Sequence, residues 1–356
     1  MYAPERMTMA RAGERGVSII ELMVGMVVAM LVGLAATSSA VVFTASQRQG
    51  IGVGGMVVNV GTALAALKND AATAGLGFFG DSAYRCAGLN LGIGATPSWD
   101  GAAFVPVLIT RTDGHDRIDI VQSNRIESGA GVLLQTTSTG GSATLKSYMP
   151  VMVGDAVLLS PRAAGDPCTV RTVTANTAAT ADTWQVLTFA SSGSHNAATF
   201  TTVPSYPELA SVTLLGQLRW NRYRLLDGNL VLERPLDGTS AVLARNVVAV
   251  RAQYGAAGVA AGSTTLTSWE TAGGDFETLD ADSIARVRAV RVGIVTRSPQ
   301  REKPNATGQC EASPAKPRVF GEEIDPAETD WQCWRYRTST VVIPLRNLVL
   351  GTRPAT

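Results

Sequence analysis

The sequence predicts an α+β chain, with one long amino-terminal helix followed by a β-rich head containing antiparallel sheet. Three observations carry this reading. Val17–Phe43 is an apolar run with a single charge, Glu21, and no proline. Beyond it, Val53, Val57, Val60, Leu64, Leu67 and Ala71 recur at intervals of three and four, the stripe of a helix with one buried face. From about Asp70 the apolar runs become short and are separated by Gly, Pro, Asp, Asn and Ser, as in strands joined by turns. A chain of 356 residues has room for one large domain or two modest ones.

Met1–Gly16 is a polar leader, with Arg6, Arg11 and Arg15 set against Glu5 and Glu14. About 20 residues of helix span a hydrocarbon core, so Val17–Phe43 is long enough to cross one. The arginines before it predict a cytoplasmic leader and a head on the far side. Three readings compete for the segment: a plain anchor, a secretory signal cut near Ser38-Ser39-Ala40, and a processed anchor in which Glu21 has a purpose. Glu21 separates them, because a carboxylate at mid-bilayer costs on the order of 2.5–3.5 kcal/mol. Gly50–Gly55 (GIGVGG) predicts a soft or unwound spot between the membrane part and the amphipathic part. Each glycine weakens a helix by about 1 kcal/mol relative to Ala. The same six residues fit G-x-G-x-x-G, but no strand precedes them, and dinucleotide binding is rejected.

The helix is expected to end at Gly75, Gly77 and Gly80. In the head, strands are expected at Val105–Thr110, Arg117–Gln122, Val132–Thr136, Ala156–Ser160, Thr169–Thr174, Gln185–Phe189 and Val212–Leu218. Two further strands follow at Arg286–Thr296 and Thr338–Leu345. In RYRLLDGNLVLER, Tyr223 and Leu225 share a face, as do Leu230 and Leu232, and Asp227-Gly228-Asn229 between them reads as a hairpin turn. Pro344 places the last strand at a sheet edge. Ser191–Pro207 and Ser298–Asp330 read as long loops, the first flexible and the second clamped by Cys310–Cys333, and either one a partner-binding surface or a disordered insertion.

Net charge is +1, which gives no field for nucleic acid. With two histidines and no C-x-x-C pair, a zinc site is not expected. Four cysteines downstream of an export signal favour two disulfides, with three connectivities open. Closure of the proline-containing loop favours Cys310–Cys333, leaving Cys86 with Cys168; four reduced thiols are the competing reading. Neither G-x-S-x-G nor H-E-x-x-H occurs, so no enzyme and no cofactor is expected. His115, in DGHDR, reads as a turn ahead of a strand rather than a metal or acid–base cluster. His195 lies in a loop, and Arg222, Arg224 and Arg234 read as the solvated face of a hairpin rather than an anion site.

Gly16, apolar Val17, Ser18, Glu21 at the fifth position after the glycine, and then the apolar run together resemble the prepilin signal of type IV pilins. Val17 stands where that family commonly has Phe. KNDAATAGLGFFG, RYRLLDGNLVLER and YRTSTVVIPLRN, with LARNVVAVRAQYG and RAVRVGIVTRS, further resemble the PilW-type minor pilins. The resemblance implies a type IV pilin-like fold and three regions: a leader 1–16, a helix 17–76 with 17–43 in the membrane, and an outward head 77–356. It implies cleavage between Gly16 and Val17 by a prepilin peptidase, N-methylation of Val17, and use of Glu21 in recognition and filament assembly. The implied partners are other minor pilins, the major pilin and a PilY-type tip adhesin, and the implied location is the inner membrane and then the pilus. A type II secretion pseudopilin shares the same signal. A membrane-anchored periplasmic enzyme or binding protein is the reading from a different class.

Overall fold

The computed structural model describes residues 18–78, 88–123, 129, 131–162, 166–259 and 263–350. Gly16, Val17 and Cys86 lie outside the described residues. The chain divides into two units between Gly54 and Gly55.

Helix α1 runs Ile19–Ala72. Its first part contains Ile19–Ala40, a stretch of mean hydropathy 2.4, long and apolar enough to cross a membrane and with none of its most apolar window buried. Polar side chains in this part turn inward. The hydroxyls of Thr37, Ser38 and Ser39 donate to the carbonyls of Gly33, Ala35 and Ala35 at 2.8, 2.9 and 2.9 Å. Such local bonds hide hydroxyls where water is scarce. The helical backbone is unbroken over Gly50–Gly55, so of the two expected alternatives, soft or unwound, the helix is not unwound there. Breaking a helix there would leave up to eight more backbone groups without helical partners, whereas each of the four glycines costs about 1 kcal/mol relative to Ala.

In the second unit, α1 buries Met56, Val60, Ala63, Leu64, Leu67 and Ala71. The stripe is as expected except at its start. Val57 is 41% exposed, and Met56 takes the inward position. The side chain of Val53 lies outside the described residues. After Ala72, Gly75 and Gly77 adopt left-handed φ of 74° and 85° and turn the chain away.

The strands that follow are β1 (Leu89–Ile93), β2 (Thr96–Ala102), β3 (Val107–Thr112), β4 (His115–Ser123), β5 (Gly131–Leu133), β6 (Ser142–Leu145) and β7 (Ala156–Ser160). Next come β8 (Cys168–Thr172), β9 (Ala175–Thr177), β10 (Gln185–Thr188), β11 (Ser211–Gly216), β12 (Leu218–Leu226), β13 (Asn229–Arg234) and β14 (Thr239–Arg245). The last are β15 (Val247–Ala257), β16 (Leu266–Glu270), β17 (Val287–Arg297), β18 (Arg318–Val319), β19 (Glu322–Glu323) and β20 (Tyr336–Pro344). Short helices α2 (Ala281–Arg286) and α3 (Arg346–Leu350) flank the end of the chain.

A five-stranded sheet, β14-β13-β12-β4-β3, and a four-stranded sheet, β16-β15-β17-β20, are antiparallel throughout. One hydrophobic core joins both to α1, and Ile118, Ile120, Tyr223, Val250, Tyr254 and Val292 belong to it with Leu64 and Leu67. The β12–β13 turn is Asp227-Gly228, both left-handed (φ 49° and 70°), and Asn229 already belongs to β13. Asp-Gly in that conformation is the two-residue turn that follows the strand twist. Asp113-Gly114 repeats it between β3 and β4, so the expected turn at DGHDR is present and His115 opens the strand. β20 is an edge strand that ends on Pro344.

A second lobe is built from β1 and β2, which precede β3, and from β5–β11, which are inserted between β4 and β12. Its strands form β2-β1-β8-β7-β11-β5 and β6-β10-β9, with β1 and β8 parallel and the other pairs antiparallel. Two expected strands are corrected here. Val212–Leu218 is cut at Gly216 (φ 68°), which ends β11. Val132–Thr136 shrinks to the short β5 plus a bridge from Leu134 to Leu145. Ser191–Pro207, expected to be a flexible loop, is packed instead, with Ala198, Phe200 and Tyr206 buried.

Cys310 and Cys333 form a disulfide as expected. The segment it closes is anchored beyond the disulfide as well. Val319 and Ile324 pack on Ala249 and Val295, Arg291 stacks between Trp269 and Phe320 at 4.6 and 4.3 Å, and Glu322 pairs with Arg251 at 3.0 Å. The Cys86–Cys168 pairing falls on Cys86, outside the described residues.

Gly293 on β17 allows this docking, because a Cβ there would lie 2.2 Å from Val319 Cγ2. Gly293→Val is expected to cost about 1–3 kcal/mol by overpacking. Gly61→Ala, on the open face of α1 with nothing within 4 Å, is expected to gain roughly 0.5–1 kcal/mol. Urea unfolding of the full chain in detergent reads both; equal shifts of the same sign would contradict the packing described.

Candidate functional site

The amino-terminal end of α1 starts from Ser18, whose carbonyl accepts the Leu22 N–H at 3.0 Å. Glu21 lies in the first helical turn, where a carboxylate is favoured by the unpaired N–H groups of the helix start. It is exposed, and it is the one ionisable residue between Ile19 and Ala40. The residues expected beside it in processing, Gly16 and Val17, lie outside the described residues.

The other end of α1 is fixed by a polar clasp. Asp70, half-buried on the helix, accepts hydrogen bonds from Tyr223 Oη at 2.5 Å, Asn221 Nδ2 at 2.5 Å and Gln122 Nε2 at 3.1 Å. All three donors are neutral, and each sits on β12 or β4 with its residue almost fully buried. Burial, and then the Asp70 charge, push the Tyr223 phenol far above its ordinary value, so it stays a donor. Around the clasp, Thr73 Oγ1 donates to Gln122 Oε1. The Gly75 N–H donates to the Val121 carbonyl at 3.0 Å, and Asn347 Nδ2 donates to the Ala74 carbonyl at 3.1 Å. The last two bonds tie down the chain just beyond the end of the helix.

Sequence reasoning identified the three segments that meet here without assigning them a contact. Asp70 comes from KNDAATAGLGFFG, Tyr223 from RYRLLDGNLVLER and Asn347 from YRTSTVVIPLRN. The missing signal was pairing, because Asp70 and Tyr223 are far apart in the chain and each alone looks like an ordinary polar residue.

Other singled-out residues turn out to be structural. Asp116, of DGHDR, is buried and takes Arg111 in a forked pair (2.7 and 3.1 Å) and the Ala252 N–H at 2.7 Å, joining the two sheets. His115 is half-buried, and burial followed by the neighbouring Arg251 charge lowers its pKa. Asp119 receives Trp220 Nε1, Arg222 Nε and Arg117 Nε at 2.7, 2.7 and 2.9 Å. Arg224 pairs with Glu233 at 2.5 Å. Arg222 and Arg224 are therefore committed to ion pairs on the strand face. His195 is buried, its Nδ1–H donating to the Gly92 carbonyl at 2.7 Å, and burial lowers its pKa. Among the described residues no three His, Cys, Asp or Glu side chains are grouped to hold a metal ion.

Asp70→Ala leaves three buried donors unpaired and is expected to cost roughly 2–4 kcal/mol, against about 1.5 kcal/mol for Tyr223→Phe. A double-mutant cycle by urea unfolding is expected to show coupling above about 1 kcal/mol. Additive effects would mean that the pair does not interact.

Residues 217–347 match the family model for PilW, the type IV pilus-assembly protein W. The match covers β12 to β20 and ends on Asn347; α1, Asp70 and the second lobe lie outside it. No curated protein matches the chain. Among solved structures, a type IV-like pilin from Thermus thermophilus aligns at 9% identity over 82% of this chain and 97% of that one, with a TM-score of 0.34. From β12 to Asn347, which includes two of the donors to the clasp, the chain is PilW-like.

Proposed function

We propose that this chain is a structural minor pilin of a type IV pilus rather than an enzyme. The observation that carries the proposal is the lone charge Glu21 near the start of an otherwise apolar span, in a chain whose later strands are PilW-like. In this reading a prepilin peptidase cuts between Gly16 and Val17, and Val17 becomes an N-methylated amino terminus. The protein waits in the inner membrane, leader inside and head outside. On assembly, Glu21 of one subunit meets the Val17 amine of its neighbour, and the pair replaces a carboxylate stranded in lipid. An unpaired buried charge is expensive, whereas a hydrogen-bonded pair is tolerated. The pairing also selects one helix register out of an otherwise uniform apolar surface. Other minor pilins and the major pilin are the neighbours in this scheme. Priming of filament growth and a place at the tip, beside a PilY-type adhesin, complete the role.

Where the Glu21→Ala protein is still cleaved, it is expected to be lost from sheared filaments, at least tenfold by immunoblot against the membrane fraction. Undiminished incorporation of the cleaved Glu21→Ala protein would refute the pairing.

A further inference from the structure

The second lobe buries its aromatic side chains with two exceptions that stand together. Phe189, Phe200 and Tyr206 are buried, but Tyr148 is 72% exposed and Trp184 49% exposed. Both line one cavity of about 350 Å³, formed by the stretch after β6 and the turn between β9 and β10. Exposed large aromatics contribute little to folding, and a concave wall of aromatics with a few polar groups is the common form of a small-molecule site.

The site is built rather than incidental. Gln185 is 1% exposed and follows Trp184 directly. Its amide grips the backbone of Met149, the residue after Tyr148, accepting the Met149 N–H at 2.8 Å and donating to the Met149 carbonyl at 3.0 Å. Its Nε2 also donates to Asn176 Oδ1 at 3.0 Å. One buried amide thus holds the two aromatic-bearing segments at a set spacing. The turn carrying Asp182 is closed by Thr180 and Thr183, whose hydroxyls are 2.7 Å apart and whose backbones bond at 2.9 Å. Such preorganisation lowers the entropy cost of binding.

Charge narrows the ligand. Lys146, on the cavity wall, is paired with Glu208 at 3.1 Å. The Asp182 carboxylate has no hydrogen-bond or ion-pair partner among the described residues, so it stays open as an acceptor on the cavity wall. Two exposed aromatic side chains beside an open carboxylate suit a pyranose, with C–H groups against the rings and hydroxyls donating to the carboxylate, and the unpaired carboxylate disfavours an anionic sugar. We infer that Tyr148, Trp184 and Asp182 form a binding site for a neutral glycan unit. The site lies outside the PilW-like segment and does not depend on the pilin reading.

Saturation-transfer NMR on the full chain in detergent tests this, with chitobiose, maltose and cellobiose as neutral probes and N-acetylneuraminic acid as the anionic control. At least one neutral disaccharide is expected to receive saturation, and the acid is expected to receive none. Trp184→Ala and Tyr148→Ala are each expected to weaken binding tenfold or more, and Trp184→Phe to retain most of it. Unchanged far-ultraviolet circular dichroism would show that the variants fold. Absence of transfer to every neutral probe at millimolar concentration, or transfer that survives Trp184→Ala, would overturn the inference. So would cross-linking of Tyr148 to a protein partner in the absence of sugar binding.

Discussion

A single carboxylate on the long helix sets how that helix enters the head. Asp70 takes hydrogen bonds from Tyr223, Asn221 and Gln122, three neutral donors carried on two adjacent strands. Burial of Met56, Val60, Leu64 and Leu67 supplies more free energy, at roughly 1.5–3 kcal/mol per side chain. That apolar contribution is not directional, however. A helix turned by one residue rotates about 100°, still offers apolar surface, and loses all three bonds to Asp70. The hydrophobic stripe therefore provides attachment and the clasp provides register. Bonds beyond the end of the helix, from Gly75 to Val121 and from Asn347 to Ala74, tie the same place to the central sheet and to the end of the chain.

The rest of the head follows the same pattern of apolar layers pinned by buried acids. Asp116 joins the five-stranded sheet to β15 through the Ala252 N–H while pairing with Arg111 on its own sheet, and Asp119 gathers Trp220, Arg222 and Arg117. These arginines are matched by acids, which explains why a hairpin rich in arginine carries no open cationic patch at Arg222 and Arg224. The disulfide segment is held by side chains on β15 and β17 as well as by its own covalent closure. Gly293 is the concession that lets Val319 approach β17.

Much of this was legible in the sequence where a periodicity or a turn residue carried it. The long helix, its buried stripe, the Asp-Gly hairpins, the edge strand ending at Pro344 and the Cys310–Cys333 closure all have local signals. β15 did not, because Val247–Ala257 is buried along nearly its whole length and shows no alternation to read. Gly216 is one left-handed residue inside an apolar run, and it separates two strands that the hydrophobic pattern merges. Ser191–Pro207 has the composition of a loop, yet it packs through His195, Phe200 and Tyr206, contacts made with strands distant in the chain. The Asp70 clasp was illegible for the same reason. Glu21 stands apart from these: a lone charge in an apolar span is conspicuous without any tertiary contact.

We propose that the membrane-grade helix is cut after Gly16 and reused as a filament core. Intact mass and amino-terminal sequencing of the protein extracted from cells test it most directly. A chain that starts at an N-methylated Val17 is expected. A chain that starts after Ala40, or one that retains its leader in cells bearing pili, would contradict it.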